Sequence, residues 1–118
     1  MDELFEISLL LDFYGQMVTQ RQFEILDLHY NNDYSLSEIA GHLNISRQGV
    51  YDNIKRGKAS LLGLEQKLGL VRRFSEQADR AREIHRQLGV IDKNKLDENE
   101  LKAMTAVEEE IKKIIDMA

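Results

Sequence analysis

The sequence predicts an all-helical protein. Three observations carry this: none of the 118 residues is proline, apolar residues recur at steps of three and four almost from end to end, and no stretch alternates long enough to form a strand. With 42% hydrophobic and 31% charged residues, a chain of this length suits one compact domain or a small domain with an extension.

The elements follow in order. Leu4, Phe5, Ile7, Leu9, Leu10, Leu11, Phe13 and Tyr14 place a first helix from about Asp2 to Tyr14, ended by Gly15. Its apolar surface is wider than a one-sided stripe, so it is either sandwiched in the core or shared with a second chain. Thr19 with Gln22 forms a capping box that opens a second helix through Phe23, Ile25, Leu26, Leu28 and Tyr30, with Asn31-Asn32-Asp33 as the stop. Ser35 with Glu38 opens a short helix, Leu36 to Leu43, and Asn44 suits a left-handed turn residue. Ser46 then caps a long helix with one seam: Val50, Ile54, Gly57, Leu61, Leu64 and Leu68. At 1.5 Å per residue it runs about 34 Å, more than the preceding three helices can cover. Gly69 interrupts the pattern. A helix from about Leu70 to Leu88 follows, with Phe74, Ala78, Ala81, Ile84 and Leu88 inward and Glu76/Arg80, Asp79/Arg82 and Glu83/Arg86 paired outside. After a loop from Gly89 to Asn94, Asp97 with Glu100 opens a last helix whose apolar face is Leu101, Met104, Val107, Ile111, Ile114 and Ala118.

Composition removes several classes of function. There is no cysteine, and His29, His42 and His85 are far apart, so no disulfide framework, zinc knuckle or thiol nucleophile is expected. No histidine has a neighbouring nucleophile or a second ligand four residues away, and Gly57, Gly63 and Gly69 sit in helical pattern rather than in a phosphate loop. We therefore expect no enzyme, no cofactor and no metal. Leu9-Leu10-Leu11 is the longest purely apolar run, far short of the roughly 20 residues of a membrane span. A cytoplasmic protein is expected.

Charge is distributed unevenly. The net charge is −5, but residues 1–34 carry one base and seven acids, residues 35–73 seven bases and three acids, and residues 74–118 eight bases and eleven acids. A basic island lies between acidic flanks.

Residues 36–62, LSEIAGHLNISRQGVYDNIKRGKASLL, fit a helix-turn-helix. Ile39, Leu43, Ile45 and Val50 pack its two helices, Ala40 allows a close crossing, and Ser46 caps the second helix. Asn44 replaces the usual turn glycine, and Asn53 occupies a position that is ordinarily apolar, with Ile54 one place on. With Val50 and Ile54 inward, the outer face presents Arg47, Gln48, Tyr51, Asp52, Lys55, Arg56 and Lys58. Arg and Gln suit base edges, and Lys and Tyr suit phosphates. Asp52 opposes this use unless it pairs with Lys55 or Arg56, or accepts from a cytosine amino group.

The run TQRQFEILDLHYNNDYSLSEIAGHLNISRQGVYDNIKRGKASL resembles region 4 of bacterial sigma factors. With LLLDFYG at the N-terminus and a helical tail, the chain is similar over nearly its whole length to the YlxM family. The resemblance implies a sigma region 4-like helix-turn-helix domain without a wing over residues 1–68, and a C-terminal helical extension over 69–118 packing on it. That family is encoded beside the signal recognition particle GTPase in many Gram-positive bacteria. The likeness therefore implies DNA or the particle's RNA as a nucleic-acid partner, the GTPase as a protein partner, and a part in the targeting pathway or its regulation. Two other readings stand beside it: a dimeric DNA-binding transcription regulator, and a helical adaptor that no longer binds nucleic acid. A homodimer is expected on the first helix and the Leu61-Leu64-Leu68 seam, unless the C-terminal helices fold back over both.

Overall fold

The structure, a computed structural model, describes residues 2–117. It is helical throughout, with no strand among those residues. Six α-helices follow one another: α1 (Glu3–Tyr14), α2 (Gln20–Leu26), α3 (Leu36–Leu43), α4 (Arg47–Leu68), α5 (Leu70–Leu88) and α6 (Glu98–Asp116). Two compact units result, Met1–Val71 and Arg72–Ala118.

The local signals act where the sequence places them. Thr19/Gln22, Ser35/Glu38 and Asp97/Glu100 all form reciprocal capping boxes, and Ser46 accepts from the Gly49 amide. Asn44 adopts the left-handed conformation at φ 56°, and Gly69 does the same at φ 61°. The second helix departs from expectation. α2 stops at Leu26, and Asp27–Asn31 winds as one wider π turn, with the Asn32 amide donating to the Asp27 carbonyl. The Asn31 side chain donates to Asp27, and His29 Nδ1 lies 2.7 Å from the Tyr34 carbonyl. These contacts give polar groups around the turn partners that a continuous helix would not offer.

The first unit is built around α4. Ile7, Leu10, Leu11 and Tyr14 of α1, Ile25 and Leu26 of α2, Ile39 of α3, and Val50, Ile54 and Leu61 of α4 make one buried cluster. The seam predicted along α4 is real, and α1 covers much of its far half; Leu64 packs at the cluster's edge and Leu68 is exposed. The two surfaces that suggested a dimer cover each other only in part, since Leu4 and Phe5 of α1 and Leu68 of α4 remain exposed. At Gly57 an added Cβ would lie 2.6 Å from Leu26 Cδ1, so α4 can approach α2 this closely only without a side chain there.

A buried hydroxyl fixes the end of α4. The Tyr14 side chain is fully buried, and its Oη donates to Glu65 Oε1 at 2.5 Å while accepting from the Leu70 amide at 3.1 Å. Glu65 also accepts from the Val71 amide. Amides at the start of α5, which a helix cannot satisfy internally, are thereby capped by side chains from two other helices.

In the second unit the apolar faces are only partly covered. Ala78 and Ala81 of α5 and Met104 and Ile111 of α6 are buried, whereas Ile84, Leu101, Val107 and Ile114 are exposed. Ile84 was expected inward and the other three on the apolar face of the last helix; Ala118 lies outside the described residues. Asp79–Arg82 and Glu83–Arg86 pair as expected, but Glu76 and Arg80 do not. The Arg86 guanidinium holds Glu83 down to about 2.

Candidate nucleic-acid interface

α3, the turn Asn44–Ser46 and the first half of α4 form the helix-turn-helix. Its second helix is held by Val50 and Ile54 inward, so its opposite side faces solvent. Asn53 resolves its unusual position locally: its side chain donates to the Gly49 carbonyl one turn back at 2.8 Å. An internal partner lets a polar residue stand half-buried beside the core.

Arg47, Gln48, Tyr51, Lys55 and Arg56 are all exposed, Tyr51 by 50%. Among the described residues, no hydrogen bond or ion pair engages Arg47, Lys55 or Arg56. Asp52 takes a different partner from either basic residue expected for it: Gln48 Nε2 donates to Asp52 Oδ1 at 3.0 Å. This engages one carboxylate oxygen without neutralising a cation, and it leaves Lys55 and Arg56 available.

Lys58 is placed differently. It is half-buried and forms an ion pair with Glu3 of α1, which raises its pKa. Tyr30 faces the same ammonium, and burial pushes the tyrosine upward. No sequence signal marks Glu3 as this partner, because the two residues meet only when α1 lies along α4. Breaking the pair should matter more for binding than for folding. Glu3→Gln should change stability by less than about 1 kcal/mol, as exposed pairs do. It should steepen the salt dependence of nucleic-acid binding by about 0.9 as Lys58 gains a phosphate; an unchanged slope in a salt titration would exclude Lys58 from the contact.

The site also includes a feature not foreseen. Tyr51, Lys55, Lys58, Ala59 and the exposed Leu62 line a shallow groove of about 300 Å³ beside the basic face. An aromatic ring and an apolar floor between cations is an arrangement that can hold a base or sugar beside a phosphate. Leu62 lies off the α4 seam, which is why hydrophobic spacing did not point to it.

Elsewhere the described residues hold no cluster of three or more His, Asp or Glu suited to a metal ion, and no helix is long and apolar enough to cross a membrane. A short capped helix, a left-handed turn and a longer helix with a basic outer face define a helix-turn-helix protein. The family model described as "Putative helix-turn-helix protein, YlxM / p13 like" matches residues 1–104, and the chain belongs to that family. Among its relatives is a UPF0122 protein of Acetivibrio thermocellus, 58% identical over 116 residues and covering 98% of this chain and 99% of the relative. A UPF0122 protein of Thermoanaerobacter pseudethanolicus is 42% identical over 113 residues, covering 96% and 97% of the two chains. One from Clostridium perfringens is 39% identical over 116 residues, covering 98% and 92%.

Proposed function

We propose that this chain binds nucleic acid through the outer face of α4 and acts in the signal recognition particle pathway or its regulation. Arg47, Gln48, Tyr51, Lys55 and Arg56 make the contact, joined by Lys58 when Glu3 releases it. The observation that carries this reading is the exposed set Arg47, Lys55 and Arg56, engaged by no other described side chain and carried on the helix that follows the turn. Cations held this way gain most by neutralising phosphates.

Charge supports a target made of RNA and protein. Residues 1–34 carry seven acids against one base, so the first two helices repel a bare duplex while attracting a basic protein. The particle's GTPase and RNA offer both surfaces together, and the family likeness points to the same pathway. Purified chain should bind the particle's RNA more tightly than an arbitrary DNA duplex, with affinity falling as salt rises. It should also retain the GTPase in a pull-down. Nanomolar binding to a specific duplex, with no binding to that RNA or the GTPase, would replace this reading with that of a DNA-binding transcription regulator, for which Arg47 and Gln48 have suitable chemistry.

A further inference from the structure

We propose that the groove on α4 holds an unpaired base, and that the chain's target is an RNA with a bulged or single-stranded nucleotide rather than a continuous duplex. This rests on the nucleic-acid reading of α4 and gives that face its substrate class.

Two stripes run side by side along α4. Val50, Ile54, Gly57 and Leu61 are the buried seam, and Tyr51, Lys55, Lys58 and Leu62, each one residue further on, repeat its spacing on the adjoining surface. A stripe turned toward solvent is ordinarily polar, yet this one holds an aromatic ring and a leucine, 50% and 44% exposed. Along the helix axis Tyr51 and Leu62 stand about 16 Å apart at 1.5 Å per residue. Ala59, with only a methyl group, and the edge of Ile54 leave the space between them open as the groove. The Tyr51 hydroxyl has no hydrogen-bond partner among the described residues.

Charge selects a nucleotide as the occupant. Arg47 lies one turn before Tyr51 and Lys55 one turn after, both exposed and neither engaged by another described residue. Lys58, held by Glu3, forms a wall of the groove. A base offers a flat face to the ring, and the phosphates on its two sides meet the two unengaged cations. A wholly apolar occupant would leave Arg47 and Lys55 without partners. A base inside a duplex cannot enter, because stacking leaves only its edges accessible and the A-form major groove is too deep and narrow for side chains to read. The groove therefore fits a base that has left the stack.

Two hairpin RNAs test this, identical except that one carries a bulged 2-aminopurine in its stem. The wild-type chain should bind the bulged hairpin about tenfold more tightly than the paired one and quench the probe's fluorescence as it stacks. Tyr51→Ala should weaken binding of the bulged hairpin about tenfold and abolish the quenching, whereas Tyr51→Phe, which keeps the ring and drops the hydroxyl, should stay within about threefold of wild type. Ala59→Leu fills the groove from an exposed position with a good helix former. It should bring the two hairpins to within about threefold of each other and leave the salt slope unchanged, since no cation is lost. Helical circular dichroism matching wild type would show that each variant folds. Equal wild-type binding to both hairpins, a Tyr51→Phe loss as large as that of Tyr51→Ala, or an Ala59→Leu chain that keeps the preference would each overturn the groove assignment and leave the cationic face standing. Binding to neither hairpin would overturn the nucleic-acid reading itself, and this assignment with it.

Discussion

Replacing Tyr14 by Ala should cost about 3–5 kcal/mol of stability, and replacing it by Phe about 1.5–3 kcal/mol, read as shifts of the urea midpoint at constant slope. The first change removes a buried ring that joins α1 to the α4 core. The second keeps the ring and deletes only the hydroxyl, leaving Glu65 short of a donor and the Leu70 amide short of an acceptor. If Phe is tolerated as well as Tyr, solvent reaches those groups and the buried clasp is not rigid. Alkaline titration gives a second readout. Burial first, and then the hydrogen bond to Glu65, raise the Tyr14 pKa above its ordinary 10.0. The stabilisation from its protonated hydroxyl is therefore complete below pH 10 and is lost as pH rises through the higher folded value. Tyr14→Phe should flatten that alkaline loss.

Replacing Lys55 and Arg56 together by Ala should weaken nucleic-acid binding about ten- to thirtyfold near 0.15 M salt and reduce the salt slope by about 1 to 2 units. Each phosphate contact releases about 0.9 counterion on duplex DNA and about 0.7 on single strands. Both side chains are exposed and off the core, so the thermal midpoint should move little, and the loss can be assigned to the contact itself. A double variant with an unchanged slope would show that nucleic acid does not use this face of α4.

Helix boundaries were legible in the sequence because they depend on near neighbours. A capping box joins a side chain to an amide three residues away, and the left-handed residues Asn44 and Gly69 answer purely local needs. The outer face of α4 followed from placing Val50 and Ile54 inward, which required only helical period. Contacts between distant segments were not legible. Lys58 seemed free because Glu3 is 55 residues away, and nothing in either residue's surroundings names the other. Tyr14 was read as one more apolar residue of α1, although its hydroxyl holds the start of α5. The π turn at Asp27–Asn31 was hidden for a different reason: its residues also fit an ordinary helix, and Tyr34, which meets His29, lies beyond the stop signal. In α5 and α6 the period correctly marked apolar stripes but could not say whether anything covers them.

The crossing at Gly57 restricts which changes this lineage can accumulate. Alanine favours a helix over glycine by about 0.8–1 kcal/mol, so propensity alone presses a helical glycine toward it. Gly41 and Gly63 have no neighbouring atom within 4 Å of an added Cβ, so that drift is open at both and should go unnoticed in the fold. At position 57 the same single-step change meets a fully buried Leu26. It is accommodated most readily where position 26 has first become smaller, since otherwise the Leu26 side chain must shift. The order of two substitutions, rather than the merit of either alone, decides which descendants of this sequence can still bring α2 and α4 together.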